Sequence, residues 1–227
     1  MTDICTPFLV VSSIPSIPVD PSLKVEQPQI EVEMEIDQPE LCQFLVHNVS
    51  AGDLSRLREI MMSQLDLMAI DIVEMYVNSS ALPDETIVHR LGLVPILCET
   101  IDDFVGVDEC ECEEKGCNEC SIPFTMEVYG NPLTKTAITS DDIVLDDVRC
   151  VVLPGNRFPL LYLREGEHVR LDGKIMKGNG RLHSKWSPVS CVVFKKVEND
   201  TFRFSFESTG LLTNGDILEQ ALKVFYA

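Results

Sequence analysis

The stretch LREIMMSQLDLMAIDIVEMYVNSSALPDETIVHRLGLVPI, Leu57 to Ile96, decides the fold. It reads as helix, strand, short turn and helix. Leu54, Leu57, Ile60, Met61 and Leu65 recur at spacings of three and four, which places them on one face of a helix. Asp53 stands where an N-cap is expected. From Met68 to Val77 the residues become apolar and β-branched, with acids at Asp71 and Glu74, a composition that suits a strand. Ser80 and Pro83 open a second helix, with Asp84 and Glu85 near the positive end of its dipole. Gly92 and Pro95 close it. No catalytic set is visible here; the segment is scaffold with a large apolar face that something must cover.

Outward from this unit the pattern is readable in both directions. Residues 1–27 hold four prolines and several serines and read as a disordered tail. Ile30, Val32, Met34 and Ile36 alternate with Glu31, Glu33, Glu35 and Asp37, so a strand with one buried and one acidic face is expected. Leu41–Val49 is a second strand after a turn at Pro39. Residues 97–121 lack a regular apolar repeat and are rich in acids. Short strands succeed them at Phe124–Tyr129 and Val148–Leu153, and Leu160–Leu163 with His168–Lys177 suggests a hairpin around Glu165-Gly166. Val189–Val197 is another strand. Phe202, Phe204 and Phe206 alternate with polar residues, giving a ring-lined strand face. Asn214 can cap a last helix with Ile217, Leu218, Ala221, Leu222 and Phe225 on its stripe.

The blocks RLREIMM, MAIDIVEMYVNSS and LPDETIVHRLGLVPI are similar to the third-largest subunit of eukaryotic nuclear RNA polymerase. They are equally similar in plan to its archaeal counterpart, and both relate to the amino-terminal domain of the bacterial α subunit. CECEEKGCNEC at 110–120, LREGEHVRLDGKIMKGNGRLHSKWSPV at 163–189 and FRFSFESTGLL…ILEQALKVF agree in order, so the resemblance covers about residues 28–226. It implies an α+β chain: a discontinuous α-like dimerisation domain, sheet plus two helices, over 28–96 and 195–227. A β-rich domain carrying the metal loop is inserted at 97–194. Family members usually continue the last helix further, which implies a shortened partner surface here.

The formal net charge of −19 argues against a phosphate-binding surface, because nucleic-acid binders carry basic patches. An acidic balance fits solubility or docking onto basic neighbours. No apolar run reaches the roughly 18 residues that a spanning helix needs. The apolar patch Phe8–Val11 lacks the basic flank of a signal peptide. Nine cysteines without such a signal point to a reducing compartment, where clustered cysteine means metal.

Cys110, Cys112, Cys117 and Cys120 are spaced C-x-C-x4-C-x2-C, and four thiolates this close can surround one tetrahedral Zn²⁺. The other reading is four free cysteines in an acidic loop. All-sulfur ligation leaves no open position for water, which favours structural over catalytic zinc. The resemblance also implies zinc, although family clusters have one residue fewer in the middle gap; an iron–sulfur cluster, as in some archaeal relatives, is the second choice. Cys5, Cys42, Cys98, Cys150 and Cys191 lack ligand spacing and are expected as buried apolar residues.

Lys174, Lys177, Arg181, His183 and Lys185 gather around Gly178 and Gly180. Trp186 and a strand come next, rather than a phosphate loop and helix, so nucleotide binding is not expected. A solvated loop or a docking loop remains, and the resemblance favours docking, with His183, Lys185 and Trp186 against a neighbouring subunit. His89 has no nucleophile or metal partner nearby and reads, with Arg90, as structural or interfacial.

The resemblance implies a non-catalytic assembly subunit of a multisubunit DNA-dependent RNA polymerase. By the resemblance, its first and last helices pack on a smaller α-like subunit, and the pair carries the second-largest subunit and two small zinc-ribbon subunits. Leu54, Leu57, Ile60, Met61, Leu65, Ile217, Leu218, Leu222 and Phe225 are the expected heterodimer contacts. The nucleus is the expected location, or a virion if a large DNA virus encodes the chain. The reading from a different class is a stand-alone, zinc-containing acidic adaptor.

Overall fold

The computed structural model describes residues 31–106, 110–112, 116–155, 157–198 and 200–227. The expected tail at 1–27 lies outside them. In chain order the elements are β1 Glu31–Gln38, β2 Leu41–His47, α1 Ala51–Ser63, β3 Asp66–Asn78, α2 Asp84–Gly92, β4 Ile96–Cys98, β5 Ser121–Tyr129, β6 Thr136–Thr139, β7 Val144–Leu145, β8 Cys150–Val152, β9 Pro159–Leu163, β10 His168–Asn179, β11 Val189–Glu198, β12 Thr201–Ser208 and α3 Asn214–Tyr226. The class is α+β, as expected.

Two four-stranded sheets organise these elements. One has the order β1-β2-β12-β11 and the other β3-β10-β5-β7, with two-stranded pairs β4-β8 and β6-β9 beside them. The first sheet carries α1 and α3. Period-two burial puts Cys42, Phe44 and Val46 of β2 and Phe202, Phe204 and Phe206 of β12 under the helices. The Phe44 and Phe204 rings stack with centroids 5.3 Å apart. Leu54, Ile60, Met61, Leu65 and Ile217 close this core from above. The second sheet, together with α2 and β9, encloses a separate core around Ile122, Phe124, Leu171 and Ile175.

The division of the chain therefore differs from the one expected at 96/97 and 194/195. β3 and α2 belong to the second core, and β11 belongs to the first sheet. The helix–strand–helix unit is split, because β3 pairs along its whole length with β10 while α1 packs against β11 and α3. Long-range pairing, invisible in local periodicity, overrides chain adjacency.

Several local expectations also shift. Ser50, not Asp53, is the N-cap of α1; its hydroxyl accepts the Asp53 N–H, and the Asp53 carboxylate accepts the Ser50 hydroxyl. Thr213 rather than Asn214 caps α3. Asn214 instead donates to Asp37 Oδ1 and to the Gln38 carbonyl, tying α3 to β1. The expected hairpin does not form. The turn at Glu165-Gly166 exists, but β9 pairs with β6 while β10 runs between β3 and β5. β1 forms, but without its buried face: Val32 is 51% and Met34 48% exposed, and a register shift between Met34 and Ile36 interrupts the alternation. It is an edge strand, and the core under α1 and α3 is drawn from β2, β12 and β11.

Candidate metal centre and subunit face

The four-cysteine loop is built at the mouth of β5. Cys117 and Cys120 lie in one tight turn, where the Cys120 and Ser121 N–H groups both donate to the Cys117 carbonyl. The Cys117 N–H points at Cys120 Sγ, 3.2 Å away. Cys110 and Cys112 close from the other limb. Cys110 Sγ is 3.6 Å from Cys117 Sγ, Cys112 Sγ is 3.5 Å from Cys120 Sγ, and the Cys117 and Cys120 sulfurs are 3.8 Å apart. All four sulfurs lie within 4.8 Å of one another.

These distances test what the site can hold. A tetrahedral ion with Zn–S bonds of about 2.3 Å requires sulfur–sulfur edges of about 3.8 Å. The cluster meets that with the thiols already in place. An iron–sulfur cube puts several irons and sulfides between the thiolates and needs them further apart. The residues thus fit a single small cation.

Thiol chemistry supports the same conclusion. The hydrogen bond from Cys110 lowers Cys112 to about 7, and the Glu119 backbone N–H lowers Cys117. Burial pushes Cys120 up to about 12. Without a cation the four sulfurs cannot all be ionised near neutral pH. A divalent ion supplies the charge that lets all four ligate.

Two lysines hold the limbs of this loop. Lys174 Nζ donates to the Gly116 carbonyl at 2.8 Å, and Lys177 Nζ to the Phe104 carbonyl at 3.2 Å. The Val105 N–H bonds the Glu119 carbonyl across the loop's base. Arg149 pairs with Asp147 and lays its guanidinium over the Phe104 ring, 4.3 Å from the centroid. In sequence Lys174 and Lys177 read only as members of a basic stretch. Their role was hidden because Gly116 lies 58 residues and Phe104 73 residues away from them.

Trp186 and Lys185 at the end of that stretch are also tied to the chain's own interior. Trp186, expected against a neighbouring subunit, is 4% exposed and packs with Leu67 and Ala69 of its own chain. Its indole N–H donates to the Met176 carbonyl at 3.1 Å. Lys185 spans to the Ile70 carbonyl at 2.9 Å and to Asp71, under the Trp186 ring system. Arg90 donates to the Leu160 carbonyl. Arg181 and His183 remain exposed, and the His183 Nδ1 accepts the Lys185 N–H. The glycines between are explained by contact rather than by phosphate: a Cβ on Gly178 would stand 2.7 Å from the Trp186 ring, and one on Gly180 2.1 Å from the Met62 carbonyl.

Of the expected heterodimer contacts, Leu54, Ile60, Met61, Leu65 and Ile217 are buried in the first core. The first sheet covers much of the two helix stripes: Phe202, Phe204 and Phe206 lie in that core, and α1 packs on β11. Leu57, Leu218, Leu222 and Phe225 are only partly covered, and Arg56 lies over the Phe225 ring at 4.7 Å. Cys42 and Cys150 are buried as expected and Cys98 is half-buried; Cys191 is exposed, on the outward side of β11, and Cys5 lies outside the described residues. Among the described residues no helix is long and apolar enough to cross a membrane.

Comparison with known proteins gives the lineage. The family model described as the RNA polymerase Rpb3/RpoA insert domain matches residues 70–190, a span that lies almost wholly in the second core and β10. The chain is 33% identical over 174 residues to DNA-directed RNA polymerase II subunit rpb3 of Dictyostelium discoideum, covering 73% of this chain and 56% of that one. It is 36% identical over 168 residues to DNA-directed RNA polymerase subunit Rpo3 of Archaeoglobus fulgidus, covering 74% and 61%. For RPB3 of Schizosaccharomyces pombe the identity is 32% over 169 residues, covering 67% and 54%. The matched part is thus between half and two thirds of each relative's length. On the family match, with the sheet order and cysteine loop it spans, this chain belongs to the RNA polymerase Rpb3/RpoA insert-domain family.

Proposed function

We propose that the chain is a non-catalytic assembly subunit of a multisubunit DNA-dependent RNA polymerase. The family match and the relatives named as polymerase subunits support this reading. One structural observation carries it: apolar side chains of β1, α1 and α3 are left partly uncovered. Val32 and Met34 of β1 are about half exposed, and Leu57, Leu218, Leu222 and Phe225 have one side free. Uncovered apolar surface of this kind marks an interface. Its occupant is a smaller α-like subunit that pairs its own helices with α1 and α3. The second-largest subunit and two small zinc-ribbon subunits then dock on the pair.

The metal in this reading is one zinc per chain. Cys110, Cys112, Cys117 and Cys120 would hold it, and it supplies the order of the acidic loop rather than any chemistry on substrate. The location is the nucleus, in keeping with relatives named as RNA polymerase II subunits. Affinity capture of the tagged chain with mass spectrometry of the co-purifying proteins tests the proposal. Recovery of polymerase subunits in fixed proportion is expected. Recovery of the chain alone, as a soluble monomer, would favour the adaptor reading.

A further inference from the structure

Outside the metal loop the structure brings two more cysteines face to face. Cys98 ends β4 and Cys150 begins β8, and the antiparallel register pairs them directly. The parity of that register decides how close they come. The Leu153 N–H donates to the Pro95 carbonyl, so 95 and 153 are a hydrogen-bonded pair. Pairs alternate along an antiparallel ladder, which makes Leu97 and Val151 hydrogen-bonded and Cys98 and Cys150 a non-hydrogen-bonded pair. In such pairs the Cα atoms approach to about 4.5 Å, inside the range a disulfide spans. Both side chains point to the second core, where Cys150 is buried and Cys98 packs at its margin. Burial raises the Cys150 thiol, and the adjoining Cys98 thiol raises it further.

We propose that Cys98 and Cys150 form a thiol–disulfide site that small disulfides such as oxidised glutathione close. Cys98, the more accessible, attacks one sulfur of the glutathione disulfide and releases one glutathione thiolate. Cys150 then attacks the Cys98 sulfur, forms the protein disulfide and expels the second glutathione. The two cysteine protons end on the two glutathiones, and two electrons pass from the protein pair to the reagent. In a reducing compartment the pair stays as thiols. Once closed, the ring encloses the four-cysteine loop and β5 to β7, so the staple fixes the strands around the metal loop.

The test uses the full chain, expressed with zinc, treated with oxidised glutathione and digested without reductant. The expected product is a cross-linked peptide pair joining Cys98 to Cys150, two hydrogens lighter than its parts, with a melting temperature raised by about 5 °C or more. Reductant should reverse both. Cys191→Ser, at an exposed position, should keep the shift, and Cys98→Ser should lose it. Cys98 carrying glutathione beside a free Cys150, linkage of either residue to the loop cysteines, or no reaction at either would overturn the proposal. Should Cys98→Ser fail to fold, the peptide map of the unaltered chain still decides.

Discussion

Trp186 lies flat on Gly178, with ring carbons 2.7 Å from where a Cβ at position 178 would stand. The indole N–H is held by the Met176 carbonyl, two residues back along the same strand. This contact docks the turn after β10 onto the strand itself and onto the Leu67 and Ala69 side of β3. The two cores thereby share a wall.

Gly178→Ala should overpack that wall and destabilise by about 1–3 kcal/mol. Trp186→Ala should destabilise by about 3–5 kcal/mol through the cavity it leaves. Urea unfolding followed by circular dichroism measures both. A neutral Gly178→Ala would show that the ring does not sit against the glycine.

The two faces of the terminal helices should separate by mutation. Ile217→Ala removes a fully buried side chain and should destabilise the isolated chain by about 2–5 kcal/mol. Leu222→Glu lies on the partly exposed side and should shift stability by only about 0.5 kcal/mol. Yet Leu222→Glu should abolish co-purification with the α-like partner. Equal recovery of complex from Leu222→Glu and unaltered protein would remove that side of α3 from the interface.

Metal analysis should return about one zinc per chain with no visible absorption band. Stripping it should raise hydrogen exchange over the loop between Val105 and Ser121 while sheet signals persist, because the second core is built by β3, β10 and β5. Lys177→Met removes a largely buried ammonium from the Phe104 carbonyl and should destabilise by about 1–3 kcal/mol. It should also speed zinc transfer to a chromogenic chelator. Unchanged transfer would mean the lysine does not hold the loop.

Arg203 donates two hydrogen bonds to Glu35 across the outer face of the first sheet and holds that carboxyl below its ordinary value of 4.5. A depressed folded value means the pair stabilises above the unfolded carboxylate range, and its contribution fades as pH falls through the folded value. Carboxyl-carbon NMR should therefore find Glu35 titrating below 4.5, and Arg203→Gln should move it upward. An unchanged titration would show the pair is not formed in solution.

The sequence by itself determined what depends on near neighbours. Helix faces at spacings of three and four, the alternation of Phe202, Phe204 and Phe206, and the ligand spacing of the four cysteines all survive in the fold. Each follows from the fixed periods of the backbone or the short reach of a metal ion. Only the tertiary structure decided which strands pair. β9 turned to β6, β3 joined β10, and β1 was left on an edge with Val32 and Met34 uncovered. It also turned Trp186 inward and set Lys174 and Lys177 on a loop far back along the chain. Those outcomes rest on contacts between residues tens of positions apart, where many arrangements bury similar area and packing alone selects one.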